Sequence, residues 1–160
     1  MRIFWIVILF ISTGCSSMGG HREKNIGYSL SAIQTTVAEK IPGGLSKVSQ
    51  NRREFVSYYF LPATWDETYK ESGRLYRGKA RVFILGDRRP YDIVVRIDVD
   101  TRRATEKEVK TLYSNDDLKK RNWNQFGEDK RLAKRIAEII VDSLKKSQRN
   151  RNLIDDFRAF

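Results

Sequence analysis

The stretch LYRGKARVFILGDRRPYDIVVRIDVD, residues 75–100, decides the fold. Leu75 to Leu85 reads as one strand and Arg89 to Asp100 as the next, joined around Gly86-Asp87-Arg88. In the second strand Tyr91, Ile93, Val95, Ile97 and Val99 alternate with Asp92, Val94, Arg96, Asp98 and Asp100. Successive side chains of a strand point to opposite faces, so one face is apolar and the other mostly charged. An antiparallel hairpin of this kind belongs at the centre of a sheet that packs one side on helices and turns the other toward solvent.

Toward the C-terminus, a helix is expected from about Glu128 to Gln148, where Leu132, Ile136, Ile139, Ile140 and Leu144 fall on one stripe and Lys130, Lys134 and Lys145 fall opposite. Glu128 and Asp129 at its start and Lys145-Lys146 near its end suit the helix dipole. Toward the N-terminus, Leu30, Ile33, Val37 and Ile41 recur every three or four residues and predict an amphipathic helix, with Ser29 as its cap and Pro42-Gly43-Gly44 as its stop. Between this helix and the hairpin, Val48 to Leu61 predicts two strands around a turn at Gln50-Asn51-Arg52, the second carrying Phe55, Val56, Tyr58, Tyr59 and Phe60. Thr64 and Glu67 have capping-box spacing for a short helical turn. Glu106 to Tyr113 places Val109, Leu112 and Tyr113 at helical spacing, and could equally extend the sheet. The order helix, strands, helix predicts an α+β fold, a two-layer sandwich of a mostly antiparallel sheet with an N-terminal and a C-terminal helix.

Composition narrows the chemistry. The 160 residues fit a single domain. Cysteine and histidine occur once each, as Cys15 and His21, so one chain can build neither an internal disulfide nor a multi-Cys or multi-His zinc site. A Ser–His or Cys–His arrangement would have to use His21, which lies in a Gly-rich segment. No cofactor or metal is expected, and no nucleotide-type glycine motif is present. The net charge is +11, falling to +10 if Arg2 is removed with an export segment, and the excess is spread along the chain. Such a surface suits anionic membranes, anionic glycans or lipids, and acidic proteins; nucleic acid is not an expected partner of an exported chain.

The first residues, MRIFWIVILFISTGCSSMGG, combine one basic residue, an apolar run from Ile3 to Ile11 and small residues up to Cys15. These are the parts of a signal peptide. The run of nine apolar residues is short beside the roughly 20 that a helix needs to cross the hydrocarbon core. Ser12-Thr13-Gly14-Cys15 resembles the lipobox of bacterial lipoprotein precursors, whose cysteine is diacylated and becomes the new amino terminus. In that family the position three before the cysteine is usually Leu or another branched residue, and here it is Ser12. Ser12 and Gly14 also suit general signal peptidase, which would cut the same bond. The resemblance implies a signal peptide over residues 1–14, a lipidated Cys15 that begins a flexible tether over residues 15–26, and one domain over 27–160. Ser16, where that family's inner-membrane members carry Asp, implies an outer-membrane address facing the periplasm.

Candidate sites compete with ordinary structural roles. Arg88 and Arg89, near Asp87 and Asp92 in the hairpin turn, could form an anion-binding corner or serve solubility. Asp98 and Asp100 share one strand face, as two carboxylates holding a cation would, but two ligands are too few. The lysines of the last helix could meet lipid headgroups, or pair with Glu138 and Asp142. Phe83 and Val94 lie on the second face of the hairpin and mark a partner surface if no element covers them. Leu153, Ile154, Phe157 and Phe160 could pack back on the domain or project as a tail. The expectation is a non-enzymatic, lipid-anchored envelope protein that binds another envelope component. Its competitors are a basic module for anionic lipid or glycan, and a hydrolase using Asp92, Asp98 and Asp100.

Overall fold

A computed structural model describes residues 19–70, 73–104, 118–119 and 122–158. Cys15 and the segment from Glu106 to Tyr113 lie outside them. The elements run β1 (His21–Ile26), α1 (Leu30–Lys40), β2 (Leu45–Val48), β3 (Glu54–Phe60), two 3-10 turns (Pro62–Thr64 and Glu67–Tyr69), β4 (Arg74–Leu85), β5 (Tyr91–Arg103), β6 (Asn124–Glu128) and α2 (Lys130–Arg158). The sheet is antiparallel with strand order β1-β5-β4-β3-β2, and β6 joins the same edge of β5 as β1, further along it. Both helices cover one face, so the molecule is the α+β sandwich expected from the alternation in β5.

The β4–β5 hairpin is the spine of the sheet. Its register pairs Ile84 with Ile93, Val82 with Val95 and Ala80 with Ile97, all on the helix-covered face and all at most 1% exposed. Ile33 and Val37 of α1 and Leu132, Ile136, Ile140 and Leu144 of α2 close over them. Phe60 crosses Gly78 on the same face, where a Cβ on the glycine would lie 2.7 Å from the ring. Ser57 sits where the β3–β4 register shifts; its hydroxyl accepts from the Ala80 N–H at 2.8 Å and donates to the Tyr58 carbonyl at 2.6 Å. A fully buried hydroxyl thus repairs a ladder that the bulge interrupts.

The ends of the first helix follow their local signals, and those of the other helical segments differ. The Ser29 hydroxyl accepts from the Ala32 N–H, and the backbone turns at Gly43 and Gly44, both with positive φ. The second helix starts at Lys130 instead of Glu128, because Asp129 is the cap and accepts from the Leu132 N–H at 2.9 Å. Its backbone continues to Arg158, through part of the segment for which a packed-back turn or free tail was expected. The second hairpin strand starts at Tyr91, since Arg89 and Pro90 belong to the turn. Thr64 does not cap a helix: its hydroxyl donates to the Leu61 carbonyl, and Asp66 caps the following turn by accepting from the Thr68 N–H.

Two strands departed from expectation. The tether expected over residues 15–26 is in its second half the edge strand β1, paired with β5 from His21↔Val95 to Ile26↔Tyr91. Residues 21–26 are therefore part of the sheet. HREKNI lacks alternation because an edge strand needs only its main chain and one buried contact, here Ile26. Asp92 fastens this strand by accepting from Arg22 at 2.6 and 2.9 Å and from the Asn25 N–H at 3.0 Å. The second unforeseen strand is β6, whose composition, NQFGE, carries no strand signature.

The Asn25 N–H and then Arg22 hold the Asp92 carboxyl below its ordinary value of 3.8. A carboxyl shifted this way stabilises the fold fully above about pH 4 and loses the contribution as pH falls through the folded value. Asp92→Ala is expected to lower stability by about 1 kcal/mol at neutral pH, since the pair is largely exposed. Urea titrations should show that deficit shrinking below pH 4; a deficit that does not change with pH would contradict the assignment.

Candidate binding surface on the charged sheet face

The face of the sheet away from the helices is built in rows by the strand register. Successive rows read Glu54-Phe83-Val94-Arg22, Lys47-Val56-Arg81-Arg96, Tyr59-Lys79-Asp98-Glu128 and Arg77-Asp100-Gln125. The second row sets Arg81 directly opposite Arg96, and like charges so placed repel. Asp98 relieves them: it lies 3.0 Å from Arg96 and 3.7 Å from Arg81, while Glu128 lies 3.7 Å from Arg96. Both guanidinium side chains keep 40–45% of their surface exposed. With Asp98 and Glu128 they form a charge-balanced cluster whose guanidinium groups stay partly open to solvent.

Beside this spot, Tyr59, Lys79, Arg81, Arg96, Asp98, Asp100, Trp123 and Gln125 line a shallow basin of about 400 Å³. Its floor is held by Arg77, only 12% exposed. Arg77 donates from Nε to Asp100 at 2.9 Å and from Nη1 to the Leu118 carbonyl, and its guanidinium stacks 4.0 Å from the Tyr59 ring and 4.8 Å from the Trp123 ring. The Lys79 ammonium lies 5.2 Å from the centroid of the Tyr59 ring. Leu75 and Leu118 are buried at this end, with Tyr59, Leu61, Ala104 and Trp123 packed on them. The arrangement offers flat aromatic surface, cations and carboxylates together on one side of a sheet, a set of groups able to hold a polar ligand by stacking and hydrogen bonding.

The chain matches no protein-family model, and neither a curated protein nor a solved structure is significantly similar to it.

The residues singled out from sequence fare unequally. Val94 is 2% exposed, a correction to its reading as partner surface: the register sets the larger side chains of Phe83 and Arg22 on either side of it. Phe83 is half-buried and reaches a second shallow depression of about 440 Å³ with Asn51, Arg53 and Asp87. Arg88 and Arg89 are both exposed in the turn, but Asp92 turns away from them to Arg22. Arg89 instead borders a cleft with Tyr28, Leu144 and Gln148. Asp98 and Asp100 share a face as expected, each engaged by arginine, and among the described residues no acidic, His or Cys cluster is arranged to hold a metal ion. On α2, Lys134 lies 3.9 Å from Glu138 and Lys145 lies 3.1 Å from Asp142, so those lysines form the ion-paired face.

Sequence reasoning missed Arg81 and Arg96. They are equidistant from the hairpin turn, as Phe83 and Val94 are, so the register implied by the turn was the signal that could have found them.

Proposed function

We propose that the chain is a lipid-anchored, non-enzymatic protein of the bacterial cell envelope whose domain binds another envelope component through the charged sheet face. The observation that carries this reading is the nearness of anchor and fold: only five residues, Ser16 to Gly20, separate the lipobox-like Ser12-Thr13-Gly14-Cys15 from the strand that begins at His21. Ser16 to Gly20 leave little freedom, so a lipid on Cys15 would hold the domain at a membrane surface. No helix among the described residues is long and apolar enough to cross a membrane. The partner would be an envelope protein, reached at the outer membrane from the periplasmic side as Ser16 implies.

Mass analysis of the protein from the membrane fraction tests the anchor. The expected result is an acylated Cys15, with Cys15→Ala moving the protein to the soluble fraction; an unmodified Cys15 in membrane-derived protein would end the reading. Affinity capture from solubilised membranes tests the surface: a reproducible partner should be recovered by the wild type and lost with Arg81→Glu. Capture that is unaffected by Arg81→Glu would move the binding site elsewhere on the domain.

A second reading is favoured by the Arg81–Arg96 pair and by the Tyr59, Lys79 and Trp123 basin, which suit an anionic envelope lipid or glycan. Binding of that kind should weaken steeply with salt, because exposed charges are screened. Co-sedimentation with anionic vesicles that is absent or indifferent to salt would exclude the lipid form of it.

A further inference from the structure

Phe126 is the most exposed large apolar side chain among residues 19–149 that the structure describes, at 56%. A single exposed aromatic is ordinary on a protein surface. Its position is what sets it apart. Phe126 lies on β6, two residues before Glu128, and its ring stands edge-on to Tyr76 at 5.6 Å, which in turn meets Tyr69 at 5.0 Å. Gly19, four residues after Cys15, is pressed against the Glu128 carboxylate: a Cβ on that glycine would lie 2.4 Å from Oε2. Gly20 follows, against the Val95 carbonyl, before β1 begins. Gly19 and Gly20 therefore lie at the junction of β1 and β6, beside the strand that carries Phe126.

Polymer geometry then limits the orientation. Four residues span at most about 14 Å when fully extended, whereas a domain of this size has a diameter of roughly 37 Å. If Cys15 is held at headgroup depth, the β6 edge cannot be on the far side of the domain. The local charge is compatible with that placement. Glu128 is engaged by Arg96, Asp129 accepts from Tyr69 and caps α2, and Lys130 is exposed just beyond them.

We infer that the β6 edge rests in the headgroup region of the membrane that holds the Cys15 lipid, with Phe126 as an aromatic anchor. This rests on the lipid-anchored reading above and adds an orientation to it: the ring enters the interface, as apolar aromatics do on membrane-surface elements, and the lysine beside it meets anionic headgroups. The domain is then held by two contacts, and the charged sheet face has one fixed presentation to partners.

The test uses the full chain purified from membranes and reconstituted in vesicles of phosphatidylethanolamine and phosphatidylglycerol. An environment-sensitive dye is attached to a single introduced cysteine in Phe126→Cys, Asn124→Cys or Tyr58→Cys; Asn124→Cys keeps the ring in place should Phe126→Cys fold poorly. Lipid-modified Cys15 offers no thiol to the dye. Dye emission should shift to the blue at positions 124 and 126 and stay aqueous at 58, where Tyr58 is 39% exposed. Aqueous emission at all three positions, or equal shifts at all three, with Cys15 shown by mass to be acylated, would overturn the orientation and leave the anchor standing. An unmodified Cys15, visible as dye uptake by the wild type, would remove both.

Discussion

Gly78→Val is expected to destabilise the domain by about 3 kcal/mol, the upper range for forcing added carbon into a packed interior. For a chain of this length that corresponds to a fall in Tm of roughly 10 °C, measurable by thermal unfolding followed by circular dichroism. The sign is the informative part, because a β-branched residue in a central strand would ordinarily help and glycine would ordinarily weaken it. Here the Phe60 ring occupies the place of the missing side chain, with Cζ 2.7 Å and both Cε atoms 3.0–3.1 Å from where a Cβ would stand. The ring has no room to retreat: Phe60 is 5% exposed and its own Cβ lies 2.9 Å from the corresponding position on Gly43. Phe60→Ala alone should cost about 3–5 kcal/mol, but combined with Gly78→Val the two losses should be less than additive by 1 kcal/mol or more, as about expected of residues in direct contact. Strict additivity, or a stabilised Gly78→Val, would mean that the ring does not lie across Gly78.

Arg77→Ala is the second large effect, expected at about 2–3 kcal/mol. Removing the guanidinium leaves the Asp100 carboxylate, 25% exposed, without its charged partner, and takes a donor from the Leu118 carbonyl. It also empties the space between Tyr59 and Trp123. Arg77→Lys should recover only part of the loss, about half, because an ammonium on a flexible stem cannot reach the Asp100 carboxylate and the Leu118 carbonyl and lie against two rings at once. Chemical denaturation measures the stability, and near-ultraviolet circular dichroism, which senses Tyr59 and Trp123 in their fixed positions, reports whether the basin has lost its shape. A lysine variant as stable as the wild type would show that charge alone holds this end of the sheet.

These two residues also mark how far the sequence could be read. The β4–β5 alternation, the i, i+3, i+4 pattern of α1, the apolar stripe of α2 and the cap at Ser29 are local signals, carried by residues close in the chain, and the structure contains each of those elements. HREKNI and NQFGE were illegible as strands because their reason for being extended is the free edge of β5, more than 65 residues from β1 in sequence. Val94 was misread for a related reason: its alternation assigns it to the charged face, but whether a side chain on that face is open depends on the neighbours that register brings beside it. The same register assembles the Arg81–Arg96 pair and the Asp98 that bridges it, three residues spread over two strands.

By itself, then, the sequence determined the α+β class, the central hairpin and its two unlike faces, the two helices and the lipobox-like run ending in Cys15. All of these follow from periodicity, end-capping chemistry or a contiguous motif. Only the tertiary structure decided that residues 21–26 join the sheet, that Val94 is closed and Phe126 open, and which cations share the charged face. Those features depend on pairing between distant strands, where a shift of one residue would send every side chain to the other side of the sheet.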